Sequence, residues 1–395
     1  MVVGAGAAGL AVSRCLAEVG VEHLVLERHD VADTWRSQRW DSFTLNTPDS
    51  MNDGLHAGPD LRTTRSRDEV VQLLAEQAQA LPVRTHTPVT AVDSIPKGFL
   101  VATPDGTLTA RTLVLAAGLR NVPRVPAQAK RVAPRVHQLH TADYRSASQL
   151  PDGAVLVVGG GQSGCQIAED LSLAGRTVYL STSRVGRIPW LYRGRESLVW
   201  LVDCGFWDQS PHDLPDPADM ELTIPLLAGG RSLDLRILSG LGVRLVGRFI
   251  SADGETIGFE GSPSAYAAQA DEAWARLRNL VDHHIEEQGI VAPDPATERR
   301  PSGPVQDPDT ATLDLRAADV TTLIWSTGFT GDLSWVHLPL LGPTGRLEHD
   351  GCTAPWPGVW YVGFPWLTRR CSGIFYGFSR DARSIVHAVL HELDR

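Results

Sequence analysis

The chain alternates short, wholly apolar runs with longer stretches whose apolar residues recur at helical spacing, and glycines stand at many of the joints. Val2-Val3 runs straight into Gly4. Leu10 to Val19 then reads as a helix closed by Gly20, and His23 to Leu26 as the next strand. The same order returns later, with Ala154 to Val158 an apolar strand, Cys165 to Ala174 a helix capped by Gly175, and Thr177 to Leu180 a strand. Unbroken apolar runs suit strands covered on both faces, as in parallel sheets. Two more runs, Thr112 to Gly118 and Thr322 to Gly328, end in small residues and mark crossings between domains, and Gly358 to Phe364 supplies a closing strand.

The joints carry chemistry. Gly4-Ala5-Gly6-Ala7-Ala8-Gly9 and Gly159-Gly160-Gly161-Gln162-Ser163-Gly164 each follow a strand and open a helix. Bare backbone N–H groups and a helix N-terminus therefore face a pyrophosphate. Glu27 ends the strand after the first motif, 18 residues past Gly9, where a carboxylate accepts hydrogen bonds from a ribose 2'-hydroxyl. An adenosine with a free ribose belongs there. The second unit has no such acid and runs instead into Ser181-Thr182-Ser183-Arg184-Val185-Gly186-Arg187. Arginine offers phosphate a planar fork of donors, so the second nucleotide is expected to be NADP(H), with Arg184 first and Arg187 second at its 2'-phosphate, beside Ser183. The pattern predicts an α/β fold of two nested Rossmann-type dinucleotide-binding domains. A first domain covers 1–150 and resumes over 319–395; a second, with a helical elaboration, is inserted at 151–318.

Residues 188–310 are less patterned. They hold Trp190, Trp200 and Trp207, a proline-rich stretch from Pro211 to Pro217, a strand-like Val243 to Val246 and a helix-like Ala267 to Gln288 carrying Trp274. Aromatics in such a setting read first as core. Glu298 to Pro308 reads as an exposed loop, and Val386 to Arg395 as an amphipathic helix end.

At 395 residues with 43% hydrophobic content the chain can build two cores. A net charge of -10 argues against nucleic acid, which is bound by a basic excess. No run of about 18 apolar residues suggests a bilayer span. Five cysteines without a C-x-x-C pair suit a reducing cytoplasm and argue against disulfide exchange; Cys371 reads as a buried structural thiol. The N-terminus lacks a basic n-region, so a secretory signal is not expected, and the very short first strand leaves open whether the start is truncated. No cluster has metal-ligand spacing, and no metal is expected.

These motifs, with Thr34-Trp35-Arg36, Leu45-Asn46-Thr47-Pro48, His140-Thr141-Ala142-Asp143-Tyr144, the two strand-to-glycine crossings and Ser372-Gly373 ahead of Asp381, resemble the class B flavoprotein monooxygenases. The chain departs from that family at Pro134 and Val136, where phenylalanine and glycine are usual, and at Ala32-Asp33, where a glycine pair is usual. The resemblance implies FAD in the first domain and NADPH in the second. NADPH reduces the flavin, which captures O2 as a C4a-(hydro)peroxide and passes one oxygen atom to a small-molecule substrate. It places Gly4, Gly6, Ala7, Ala8, Gly9, Glu27, Arg28, Trp35, Arg36, Val89, Gly118, Thr327, Gly328 and Gly373 at cofactor, with Gly159, Gly161, Gln162, Ser163 and Gly164 around the NADPH pyrophosphate. Asn46 is the candidate catalytic residue, its amide donating to the peroxide. His140 reads as a packing histidine, since oxygen transfer needs no positioned base. Tyr144 points to a nitrogen or sulfur centre; Baeyer-Villiger attack on a ketone and a non-oxygenating NADPH-dependent reductase stay open. A homodimer is one option that nothing in the sequence decides.

Overall fold

The computed structural model describes residues 1–52, 55, 64–118, 122–214, 226–295, 304–343 and 345–394. Two five-stranded parallel sheets carry the architecture. In the first, the order is Val359–Tyr361, Leu113–Leu115, Val2–Val3, Val25–Leu26, Val83–Arg84. In the second it is Arg244–Val246, Val178–Ser181, Ala154–Val158, Val320–Trp325, His137–His140. Each glycine motif thus leaves a central strand.

The apolar runs are strands because both of their faces are covered. Val155, Leu156 and Val157 are fully buried, and burying one such side chain stabilises by roughly 1.5–3 kcal/mol. Helix Ala7–Glu18 buries Leu10, Val12 and Leu16 and packs against the last helix, Phe375–Leu393, which presents Ala382, Ile385 and Val389. The chain's last segment therefore completes the first domain, as the nested reading requires.

The domain limits differ from those the sequence suggested. Strands His137–His140 and Val320–Trp325 were expected in the first domain, yet both pair in the second sheet, with Trp325 opposite His140 and Val158. The limits at 150/151 and 318/319 cut through that sheet, because a small-residue strand end marks a cofactor approach in either domain equally well. Between 188 and 310, Trp190, Trp200, Trp207 and Trp274 form a separate core with Tyr192 and Ile285, and helix Pro263–Glu287 spans it. Antiparallel three-stranded sheets at 91–110 and 248–314 lack the strand-loop-helix glycine motif and were not anticipated, although Gly98, Gly106 and Gly254 stand at their turns with positive φ. Most of Glu298 to Pro308, and the end of the Pro211 to Pro217 stretch, lie outside the described residues; within the described part Val305 is buried and Asp307 accepts from the Ser264 N–H, so that segment is anchored rather than free. Among the described residues no helix is long and apolar enough to cross a membrane.

Candidate active site

The two glycine loops are built alike. Gly4 has φ 109° and Gly159 φ 118°, a region that strains any side chain. Each also sits against a neighbouring strand end: a Cβ on Gly4 would lie 2.6 Å from the Ala116 oxygen, and one on Gly159 2.2 Å from the Ser326 oxygen. The last glycine of each motif closes the loop, since a Cβ on Gly9 would lie 1.9 Å from the Gly4 oxygen and one on Gly164 1.8 Å from the Gly159 oxygen. The middle glycines are different. Gly6 (φ -76°, ψ 178°) and Gly161 (φ -74°, ψ -174°) cap their helices without a side-chain bond, and a Cβ on either would meet nothing within 4 Å. The open side of each loop therefore leads to uncapped helix N–H groups, the shape and polarity that a pyrophosphate requires. Ala7 and Ala8 follow Gly6, and Gln162 and Ser163 follow Gly161, in the first helical turns.

The strand ends separate the two sites. Gly4 donates to the Leu26 oxygen at 2.8 Å and Gly159 to the Ser181 oxygen at 2.9 Å, so Glu27 and Thr182 are equivalent positions. Glu27 Oε2 accepts from the Ala5 N–H at 2.7 Å and its Oε1 from the His29 N–H at 3.1 Å, which hold the carboxylate at the loop. Thr182 instead packs its hydroxyl onto Gly160, where a Cβ would lie 2.2 Å from Oγ1. Acid and hydroxyl thus exchange at one structural position. Beyond them Arg28 is exposed, Ser183 half-buried, and Arg184 exposed with no partner among the described residues. Arg187 does not fit the expected role. Its Nε is 2.6 Å from Asp271 Oδ1, with only 13% of the side chain exposed, and Arg236 holds the other carboxylate oxygen at 2.7 Å. Burial alone would raise the Asp271 carboxyl; the Arg236 and Arg187 bonds outweigh it and keep it below its ordinary value. Arg187 is a fixed ion-pair partner, which its sequence spacing could not disclose.

Helix Asp33–Ser37 begins after Ala32, which is buried at φ 60° and ψ 25°. The turn that glycines usually make is therefore kept here by alanine. Trp35 packs between Phe43 and Phe375, with the Arg39 guanidinium 5.3 Å above its ring, and Arg36 is exposed. Val89 is half-buried against the first core. Gly118 (φ 72°) leaves open space where a Cβ would stand, whereas Gly373 packs on Pro365, 3.1 Å from its would-be Cβ. Gly363 had not been anticipated; a Cβ there would lie 2.7 Å from Ala8 Cβ, so it lets the closing strand reach the first loop. Thr327 and Gly328 follow the strand Val320–Trp325 and so belong beside the second loop, not the first: Thr327 bonds to Arg124, and the Gly328 oxygen accepts from His140 Nε2 at 3.0 Å. His140 is buried, its Nδ1 accepts from the Ala142 N–H at 3.1 Å, and burial lowers its pKa. Both ring nitrogens are committed and the ring is neutral.

Asn46 is half-buried where the first domain meets the second-motif helix. Its Oδ1 accepts from Gln166 Nε2 at 2.8 Å, and Gln166 Nε2 also donates to the Leu227 oxygen at 2.6 Å. Gln166 had no sequence signal beyond lying four residues past Gln162. Four of the five cysteines are buried, Cys204 is half-buried, and all are free; burial pushes the Cys204 and Cys371 thiols up to about 11. None is poised as a nucleophile.

A family model described as pyridine nucleotide-disulphide oxidoreductase matches residues 1–190. Over 98% of its length the chain is 28% identical to the uncharacterized oxidoreductase CzcO of Bacillus velezensis, of which 97% is covered. It is 35% identical to the indole-3-pyruvate monooxygenase YUCCA1 of Oryza sativa subsp. japonica over 43% of this chain and 44% of that one. The solved flavin-containing monooxygenase of Stenotrophomonas maltophilia shares the fold with a TM-score of 0.67 at 21% identity, covering 99% of this chain and 98% of the other.

Proposed function

We propose that this chain, an oxidoreductase using FAD and NADPH, is a class B flavoprotein monooxygenase that oxygenates a nitrogen or sulfur centre of a small molecule. FAD, when bound and reduced by NADPH, supplies the reaction with dioxygen. The protein's share is binding, orientation and control of where protons sit.

Gly4, Gly6 and Gly9 form the FAD pyrophosphate loop, and Glu27 takes the adenosine ribose. Its carboxylate already lies within hydrogen-bond reach of that loop, 2.7 Å from the Ala5 nitrogen. Gly159, Gly161 and Gly164 do the same for NADPH. There Thr182 replaces the acid that would repel a 2'-phosphate, and Ser183 and Arg184 are the groups left to bind it. Arg187 is omitted because Asp271 occupies it.

The observation that carries the oxygenation reading is the orientation of Asn46. Its Oδ1 is taken by Gln166, so its Nδ2 hydrogens are what it has left to offer, and no described residue accepts them. A donor held in this way can retain a bound oxygen species against loss as hydrogen peroxide. Transfer to a soft nitrogen or sulfur nucleophile asks for no base, which agrees with a His140 locked on both nitrogens. The test is Asn46→Ala in the holoenzyme: NADPH-driven peroxide release without substrate should rise about tenfold, the worth of one charge-assisted bond. Release at the wild-type rate would return Asn46 to a purely structural role. Oxygen uptake with amines, sulfides and ketones then separates heteroatom oxygenation from Baeyer-Villiger chemistry.

A further inference from the structure

The amide orientations around Asn46 follow from the backbone of one residue, Leu227. The Leu227 carbonyl can only accept, so the Gln166 group 2.6 Å from it must be the NH2 end. That nitrogen is also 2.8 Å from Asn46, which must then present its carbonyl, since two NH2 groups facing at that distance would repel. The Leu227 N–H can only donate, and it meets Gln162 Oε1 at 3.1 Å, which fixes that end of Gln162 too. Gln162 and Gln166 stand one turn apart on the helix of the second glycine motif, and Gln166 is buried. Leu227 opens the hairpin Leu227–Ala228 to Arg231–Ser232. The hairpin's Gly229 lies hard against the segment before Asn46: a Cβ on it would be 1.8 Å from Thr44 Oγ1 and 2.8 Å from the Leu45 oxygen.

We propose that Gln166 is a positioning residue that holds Asn46 with its amide N–H groups turned away from the second domain, taking its own orientation from the Leu227 carbonyl. This rests on the Asn46 reading above. An asparagine without such a partner can rotate its terminal amide by half a turn, which puts an acceptor where the donor is needed. The arrangement also ties the donor's orientation to the helix whose N-terminus receives the second nucleotide. The distance from Gln162 to Asn46 is bridged by the Gln166 side chain and the backbone N–H and C=O of Leu227.

The discriminating variant is Gln166→Glu in the holoenzyme. Whether ionised or protonated, glutamate lacks the second hydrogen, so Leu227 and Asn46 cannot both be served, and Asn46 is driven to turn its NH2 toward position 166. Peroxide release without substrate should rise ~5-fold, the factor of one ordinary hydrogen bond, with FAD content and the KM for NADPH unchanged. Gln166→Met, of similar volume and with no donor, should move the same way and serves if the glutamate variant does not fold. Either change placed on Asn46→Ala should add nothing. Wild-type release from both Gln166 variants, with Asn46→Ala raised, would overturn the positioning role and leave the Asn46 reading intact. Additive effects in the double variant would overturn it as well. Wild-type release from Asn46→Ala would overturn both.

Discussion

Replacing Gly6 and Gly9 separately should split cofactor binding from folding within a single loop. At Gly6 a methyl meets no atom within 4 Å, and φ -76° with ψ 178° is open to alanine. The apoprotein should therefore gain ~0.4–1 kcal/mol, because the unfolded chain loses freedom. The methyl stands on the loop's open side, however, where the pyrophosphate must come up to the helix N–H groups. Losing one charge-assisted bond there costs about 1.5–3 kcal/mol, or roughly 10- to 150-fold in FAD affinity. At Gly9 the methyl would sit 1.9 Å from the Gly4 oxygen, against 3.4 Å for ordinary contact, and the obstacle is backbone that cannot swing away. Overpacking of this kind costs ~1–3 kcal/mol of stability before any ligand is considered. Urea unfolding of the apoproteins and titration of FAD by loss of flavin fluorescence read the two effects independently. Gly6→Ala that binds FAD like the wild type, or that loses as much apoprotein stability as Gly9→Ala, would refute the assignment of the open side.

Arg184→Glu should raise the KM for NADPH about tenfold or more while leaving that for NADH nearly unchanged; Arg187→Met should instead lower stability, and steady-state kinetics with both nucleotides beside thermal unfolding would show the split. His140 is buried and neutral, so the unfolded state takes up more protons once the pH falls below the ordinary histidine value of 6.5. Stability should therefore rise with pH between the lowered folded pKa and 6.5, and His140→Gln should flatten that rise in urea midpoints measured at pH 5 and pH 8. Ala32 holds a left-handed backbone at φ 60°, so Ala32→Gly should stabilise by about 0.5 kcal/mol after the entropic cost of glycine; a loss would mean that the buried methyl's packing outweighs the strain.

The sequence disclosed what is local. Strand, glycine loop and helix lie within about thirty residues of each other, so the spacing of Gly4, Gly6, Gly9 and Glu27 could be read directly, as could the missing acid in the second unit. What depends on pairing between distant segments was not legible. Strand Val320–Trp325 looks the same whichever sheet it joins, and only its register against Ala154–Val158 places it. Arg187 and Arg184 read alike until Asp271, 84 residues further on, takes one of them. Gln166 carries no motif at all, and its importance arises from Asn46, 120 residues away, and from a two-residue strand at Leu227. Ala32 shows the converse, a turn made without the glycine that would have announced it.

The proposed function assigns this chain's FAD and NADPH to oxygen transfer. The most direct test mixes the NADPH-reduced holoenzyme rapidly with oxygenated buffer, without substrate, and follows oxygen consumption and hydrogen peroxide release together. Oxygen uptake that runs well ahead of peroxide release, with the delay shortened in Asn46→Ala, is the result expected of a monooxygenase. Peroxide appearing as fast as oxygen disappears, in wild type and variant alike, would contradict it and favour a non-oxygenating reductase.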